Sequence, residues 1–295
     1  MPEIVDDFPG IALVGFGEAG HAFASGWFPP PAFRPRAYDV KLQDAGTAGP
    51  VLERCASAGV EPAADTKKAL EGAGMIFSVV TADQALEAAR ACAPHLAHGA
   101  LWLDCNSCAP QTKQQAAVLI EAAGGRYVDV AVMAPVYPKR HEVPLLLAGP
   151  NAAQAAVLIK RLGMRPSVSG PKVGDASSIK MLRSVMIKGL EALTTECLLA
   201  ARRAGVEDAV LASLQASDPG IDWRARGSYN LERMMVHGAR RAAEVEEVCA
   251  TLRGLGLPDW MSRGTVEWQR LVSALGVAPG EDDLARRSDA ILGRL

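Results

Sequence analysis

The chain lacks any apolar run of the roughly 18 to 20 residues that a bilayer-spanning helix needs. Its first residues, Met1 to Gly10, are acidic where a secretory leader is basic and then apolar. No membrane partner is expected, and the reading is a cytoplasmic protein. Cysteine is sparse: Cys55, Cys92, Cys105, Cys108, Cys197 and Cys249 are scattered over 295 residues, unlike the dense framework of a small secreted domain, so free thiols are expected. An excess of one charge is also missing. A net charge of −2 at pH 7 offers no bulk attraction to phosphate backbones or anionic lipid, so nucleic acid is not an expected partner. Internal repeats and low-complexity tracts are absent too. What is present is ordinary globular usage, 49% hydrophobic and 22% charged, on a chain longer than one usual compact domain.

Ile11-Ala12-Leu13-Val14 is a short apolar run of β character that enters a glycine turn and then a helix-compatible stretch, Ala19 to Trp27. Beyond the connection Pro29-Pro30-Pro31, Arg36 to Val40 reads as a second strand with Asp39 near its end. Further strands are predicted at Met75 to Val80, Leu101 to Asp104, Tyr127 to Val132 and Pro144 to Ala148. Between them lie Ala-rich helical stretches at Thr66 to Glu71, Ala82 to Cys92 and Pro110 to Ala123. Strands alternating with helices of this length imply a parallel, doubly wound sheet, because each parallel pairing needs a right-handed crossover. From about Gly174 the pattern turns helical, with Asp175 to Ala204, Val206 to Gln215, Ser228 to Leu255 and Asp259 to Val272. Gly and Pro cluster between Gly163 and Gly174, which predicts an α/β domain over residues 1–168 and an all-helical domain over residues 169–295.

The turn Gly15-Phe16-Gly17-Glu18-Ala19-Gly20 has the spacing of a dinucleotide-binding fingerprint. Its first glycine makes the tight turn, its second lets backbone N–H groups approach a pyrophosphate, and its third lets helix and strand pack closely. The turn follows a strand, opens a helix and is followed by Asp39, so the first domain is expected to be a Rossmann domain. NAD or NADP is the expected cofactor. A carboxylate at Asp39 accepts ribose hydroxyls and repels a 2′-phosphate, which favours NAD, while Lys41 and Arg36 nearby leave NADP open.

These motifs resemble the β-hydroxyacid dehydrogenases, the family of the 3-hydroxyisobutyrate, tartronate-semialdehyde and 6-phosphogluconate enzymes. Val79-Val80-Thr81-Ala82 is similar to the family's strand end beside the cofactor, which implies that Val80 and Thr81 contact it. Asp104-Cys105-Asn106-Ser107-Cys108-Ala109-Pro110 is similar to the Asp-x-Ser-Thr-x-x-Pro segment, which implies that Ser107 lies near the nicotinamide ribose. Gly174 to Lys180 resembles the helix start that carries the catalytic lysine. The stretches Lys180 to Leu193 and Arg240 to Val248 look closer to a branch with a phosphogluconate-dehydrogenase-type C-terminal domain. The resemblance implies an NAD(P)-dependent dehydrogenase or reductase acting on a small hydroxy or keto compound, with Lys180 and Ser184 at the catalytic position and no metal. It also implies a homodimer through the long helix that starts near Lys180.

Two departures bear on the substrate. The family's Asp-x-Pro-Val-Ser-Gly-Gly loop is replaced by Asp129 to Pro135, so Met133 stands among the substrate-facing residues where serine and glycines are usual. Ser184 occupies the place of the family's asparagine, one helical turn after Lys180. His237 and Arg241, within a basic cluster with Arg240, are candidates for a substrate carboxylate, and Arg183 and Lys188 form a second cluster. Two other readings share the architecture: an imine reductase, which retention of Lys180 disfavours, and a non-catalytic dinucleotide-binding sensor. The Cys105-x-x-Cys108 pair, without a second pair, reads as a family loop segment rather than a zinc or redox site.

Overall fold

A computed structural model describes residues 8–27 and 34–295; the connection Pro29-Pro30-Pro31 and the start of the acidic N-terminal segment lie outside the described residues. The first part of the chain alternates as the periodicity predicts. In order come β1 (Gly10–Val14), α1 (Glu18–Ala24), β2 (Arg36–Tyr38), α2 (Ala45–Ser57), β3 (Glu61–Pro62), α3 (Thr66–Leu70) and β4 (Ala73–Ser78). They are followed by α4 (Ala85–Cys92), β5 (Leu101–Asp104), α5 (Pro110–Ala122), β6 (Arg126–Val132), β7 (Pro144–Ala148), α6 (Ala152–Lys160) and β8 (Arg165–Gly170).

The strands form one sheet of order β3-β2-β1-β4-β5-β6-β7-β8. Strands β1 to β6 pair in parallel, whereas β7 runs antiparallel to β6 and β8 parallel to β7. The sheet is therefore doubly wound with one reversed edge unit. Chain order reverses between β1 and β4, and such a switch point opens a crevice beyond the carboxyl ends of the strands. Alternation along each strand supplies the two faces of the core. Leu101, Leu103, Val128 and Val130 join a cluster that includes Phe23, Trp27 and Ile159, while Trp102 and Tyr127 pack with Ala116, Ala117 and Ile120 of α5.

The sequence patterns do not mark every element. Strand β8 runs through the Gly163–Gly174 stretch whose Gly and Pro content predicts a linker, and pairing with β7 overrides that composition. Helix α2 forms despite Gly46, Gly49 and Pro50, its first turn capped by the Asp44 carboxylate, which accepts from Gly46 N at 2.9 Å.

The remaining elements are helical: α7 (Asp175–Arg203), α8 (Glu207–Ser217), α9 (Trp223–Gly254), α10 (Trp260–Ala274) and α11 (Leu284–Leu292). The chain divides into two compact units, Met1–Lys180 and Met181–Leu295, so the division lies after Lys180 within α7 rather than at residue 168. The reason is local. Strand β8 belongs to the sheet, and the first turn of α7 is bonded to β6. The second unit has its own apolar clusters, one around Leu198, Leu231, Met234 and Leu284, another around Met181, Val245 and Val266. Among the described residues no helix is long and apolar enough to cross a membrane.

Candidate functional site

The glycine turn occupies the carboxyl end of β1, beside the switch point. Its three glycines meet three different surroundings. Gly15 has φ of +86°, in the left-handed region that glycine tolerates, and a Cβ there would stand 2.7 Å from the Val79 carbonyl oxygen. Gly20 is crowded as well, its added Cβ falling 2.9 Å from the Gly15 carbonyl oxygen. At Gly17 a Cβ would meet nothing within 4 Å. Two glycines are thus required by packing, whereas the third borders open space that a side chain would fill. That is the cradle a diphosphate needs, and the residues present fit a dinucleotide. Gly17 is the N-cap of α1 and makes no side-chain cap bond there. Phe16 is fully buried in the core, Glu18 is exposed and Ala19 half-buried at the start of α1.

Asp39 is half-buried just beyond β2, and its two oxygens are both engaged by backbone. Phe16 N donates to Oδ2 at 2.8 Å and Lys41 N to Oδ1 at 3.0 Å. The carboxylate therefore pins the glycine turn while facing the same end of the sheet. Arg36 points elsewhere, donating to the carbonyls of Lys68, at 2.8 Å, and Glu71. Lys41 is exposed. Beyond β4, Val80 is half-buried and Thr81 exposed. Val80 N donates to Asn106 Oδ1 at 2.7 Å, which ties the loop after β4 to the loop after β5.

Lys180 and Ser107, 73 positions apart in sequence, come together: Lys180 Nζ donates to Ser107 Oγ at 2.5 Å. The segment that carries each of them is tied to a buried carboxylate. Asp104, at the end of β5, accepts from Asn106 N at 3.0 Å and from Tyr127 Oη at 2.6 Å, shaping the loop that carries Ser107. Asp129, its register partner on β6, accepts through Oδ2 from Gly174 N at 3.1 Å and from Ser177 N and Oγ at 3.0 Å. That is a carboxylate cap on the first turn of α7, one turn before Lys180. The Lys113 ammonium of α5 lies between the two acids, 2.9 Å from Asp104 Oδ1 and 3.5 Å from Asp129 Oδ1, with all three side chains fully buried. Burial opposes the charge on Lys113, but Asp104, the Cys108 sulfur and Asp129 outweigh it and hold the ammonium above its usual range. Sequence reasoning missed Lys113 and Asn106. The available signal was two aspartates on strands expected to lie inside the sheet, which require a buried counter-charge.

Met133 is half-buried and packs beside Ala131, Ala148 and Ala176, the last of these in the first turn of α7. Ser184 lies further along α7 and is buried. The remaining candidates belong to the helical unit. Arg241 forms a two-pronged ion pair with Glu191, Nε to Oε2 at 2.8 Å and the second prong to Oε1, and Gln269 Nε2 donates to the same carboxylate at 2.9 Å. Its guanidinium thus serves a buried ion pair within that unit. Lys188 pairs with Glu244 at 2.8 Å. His237 is half-buried on α9, and burial together with Arg233 and Arg240 lowers its pKa. Arg183 and Arg240 are exposed.

Cys105 and Cys108 are both buried, and desolvation pushes the Cys105 thiol up to about 12, so it stays protonated and unreactive at neutral pH. Among the described residues no group of three His, Cys, Asp or Glu stands together as a metal site.

Residues 10–157 match the model of the NAD binding domain of 6-phosphogluconate dehydrogenase, and residues 201–272 match a domain of unknown function, DUF1932. The structure of a conserved hypothetical protein from Sinorhizobium meliloti 1021 is 38% identical in sequence, covering 98% of this chain and 98% of its own with a TM-score of 0.80. The conserved protein MTH1747, whose structure is described as similar to 3-hydroxyacid dehydrogenases, is 29% identical, covering 97% of this chain and 99% of its own with a TM-score of 0.71. The 3-hydroxyisobutyrate dehydrogenase of Mycobacterium tuberculosis, solved with L-serine, shares the fold at 14% identity, covering 97% of this chain and 99% of its own with a TM-score of 0.74.

Proposed function

The chain belongs to the family built on the NAD binding domain of 6-phosphogluconate dehydrogenase, and from that premise we propose that it is a nicotinamide-dependent oxidoreductase acting on a small hydroxy or keto compound, with Lys180 as general acid and base. The observation that carries this reading is the hydrogen bond from Lys180 to Ser107. It joins the start of α7 to the loop after β5, at the carboxyl end of the sheet where a switch-point fold receives its ligand. The bound dinucleotide supplies or takes up the hydride. Lys180 delivers a proton to the carbonyl oxygen as negative charge develops there, and in the reverse direction takes the proton of the alcohol. Ser107 fixes the direction of the ammonium. The amides of Gly15 to Gly20 hold the diphosphate, and Asp39 favours NAD over NADP by its charge.

The test is a pair of fluorescence titrations with NADH and NADPH, followed by a screen of hydroxy acids, semialdehydes and cyclic imines at the nicotinamide absorbance band. NADH is expected to bind more tightly, with turnover on a hydroxy or keto compound. Imines are included because Met133-Ala134-Pro135 departs from the family's substrate loop. Binding of either nucleotide without turnover across the panel would support the sensor reading, and no binding at all would end the enzymatic one.

The same reading includes a homodimer. Helix α7 exposes Leu182, Met186, Leu190 and Leu193 at spacings of four, four and three, which form a single stripe along a helix. Light scattering is expected to return twice the chain mass, and a Met186→Asp/Leu193→Asp variant to return a monomer. A monomeric unaltered protein would remove this part of the proposal.

A further inference from the structure

The Asp104–Lys113–Asp129 triad is more elaborate than a sheet core needs. Asp104 and Asp129 sit side by side on adjacent parallel strands, fully buried. Two carboxylates so placed cannot both remain ionised without a counter-charge, because burial and mutual repulsion each favour protonation. The Lys113 ammonium is that counter-charge, and it also donates to the main-chain carbonyl of Asp104 at 2.5 Å. Each acid uses its remaining acceptor capacity on a different half of the site. Asp104 shapes the loop that ends in Ser107, and Asp129 receives three donors from Gly174 and Ser177 at the root of the helix that bears Lys180. One buried cation thus keeps both acids as pure acceptors.

We infer that Lys113 is a positioning residue for the Lys180–Ser107 pair, acting through Asp104 and Asp129 and touching neither substrate nor cofactor. This rests on the reading of Lys180 as the acid and base. Without Lys113 the two buried acids lose the cation that links them across adjacent strands. Asp129 then holds the first turn of α7 less firmly, and Lys180 loses its fixed approach to Ser107.

The test uses the full chain carrying Lys113→Met, which keeps length and apolar stem. Turnover per folded molecule is expected to fall at least about tenfold, with NADH affinity within about threefold of the unaltered protein. NMR of 13Cε/15Nζ-labelled lysine, with the Lys180 signal assigned by its loss in Lys180→Ala, is expected to place its titration midpoint at least ~0.5 pH unit from the original. A lower melting temperature with turnover and midpoint both unchanged would reduce Lys113 to a structural ion pair and overturn the inference. If Lys113→Met does not fold, Asp129→Ala leaves Lys113 and Asp104 as a neutral pair and removes the cap directly. The same turnover loss and midpoint change are then expected, and their absence overturns the inference equally. The NMR midpoint needs no substrate. An unaltered protein without turnover would therefore sink the enzymatic reading while the positioning claim is judged on the midpoint alone.

Discussion

Replacing Lys180 with alanine is expected to lower turnover by about 10²- to 10⁴-fold, the range over which a positioned acid or base contributes. The affinity for NADH should change by less than about threefold, because the glycine turn and Asp39 that would hold the nucleotide lie just after β1 and β2. Stability should change little. Lys180 is half-buried and lies outside the apolar clusters, so truncation removes no core volume, and an effect within about 1 kcal/mol is expected. A Lys180→Arg variant separates two roles for the same charge. Arginine keeps a cation beside Ser107 but does not release a proton near neutral pH, so it should restore little activity if proton transfer is the function. Steady-state kinetics beside a nucleotide titration on each variant checks both. Activity within a fewfold of the unaltered protein in Lys180→Ala would take the residue out of the chemistry.

The second large effect concerns the glycine turn, where neighbouring substitutions should part ways. Gly17→Ala is expected to fold with stability within about 0.5 kcal/mol of the unaltered protein, since its added carbon meets nothing within 4 Å. Yet its affinity for NADH should drop at least about tenfold, because that carbon occupies the space the diphosphate enters. Gly15→Ala should do the opposite first. Its φ of +86° is unfavourable for an L-residue by roughly 1–2 kcal/mol, and the Cβ is driven against the Val79 carbonyl. Thermal melts should show a loss of several degrees for Gly15→Ala and almost none for Gly17→Ala. Equal affinities for NADH in Gly17→Ala and the unaltered chain would refute the assignment of the cradle.

Much of this was legible in the residues. The strand, turn and helix of the first unit follow from a β run, a glycine spacing and an Ala-rich stretch, each a local signal. Four helices of the second unit, α7 to α10, were expected from their periodicity, with limits within about five residues of those found, whereas the short α11 (Leu284–Leu292) was not expected. Strand β8 was hidden because Pro166, Gly163 and Gly170 argue locally for a linker, while the strand is stabilised by β7, a non-local partner. The reversed direction of β7 leaves no local trace either, since both strand orientations alternate apolar residues alike.

At the site, Lys180 and Ser107 were reachable through the resemblance, but the hydrogen bond between them depends on how β5 and the start of α7 are brought together. For the basic cluster on α9, composition gives no sign of its partners. Arg241 looks available in sequence, and only packing reveals that Glu191 already holds it. Lys113 was missed for the complementary reason: the two strand aspartates signal that a buried counter-charge exists but not which residue supplies it. A lysine in the first turns of an amphipathic helix reads as solvated, and nothing local announces that two aspartates from neighbouring strands surround it.

Asp39, proposed above to favour NAD, is also a fastening. Its Oδ2 receives the amide of Phe16, inside the glycine turn, and its Oδ1 that of Lys41. Redesign of this chain toward a phosphorylated coenzyme by the obvious exchange of Asp39 for a small neutral residue would therefore also unclip the peptide that shapes the turn. If the proposed preference for NAD resides in this carboxylate, selectivity and loop conformation are inherited together, and a path between coenzymes has to supply a substitute acceptor for the Phe16 amide along the way.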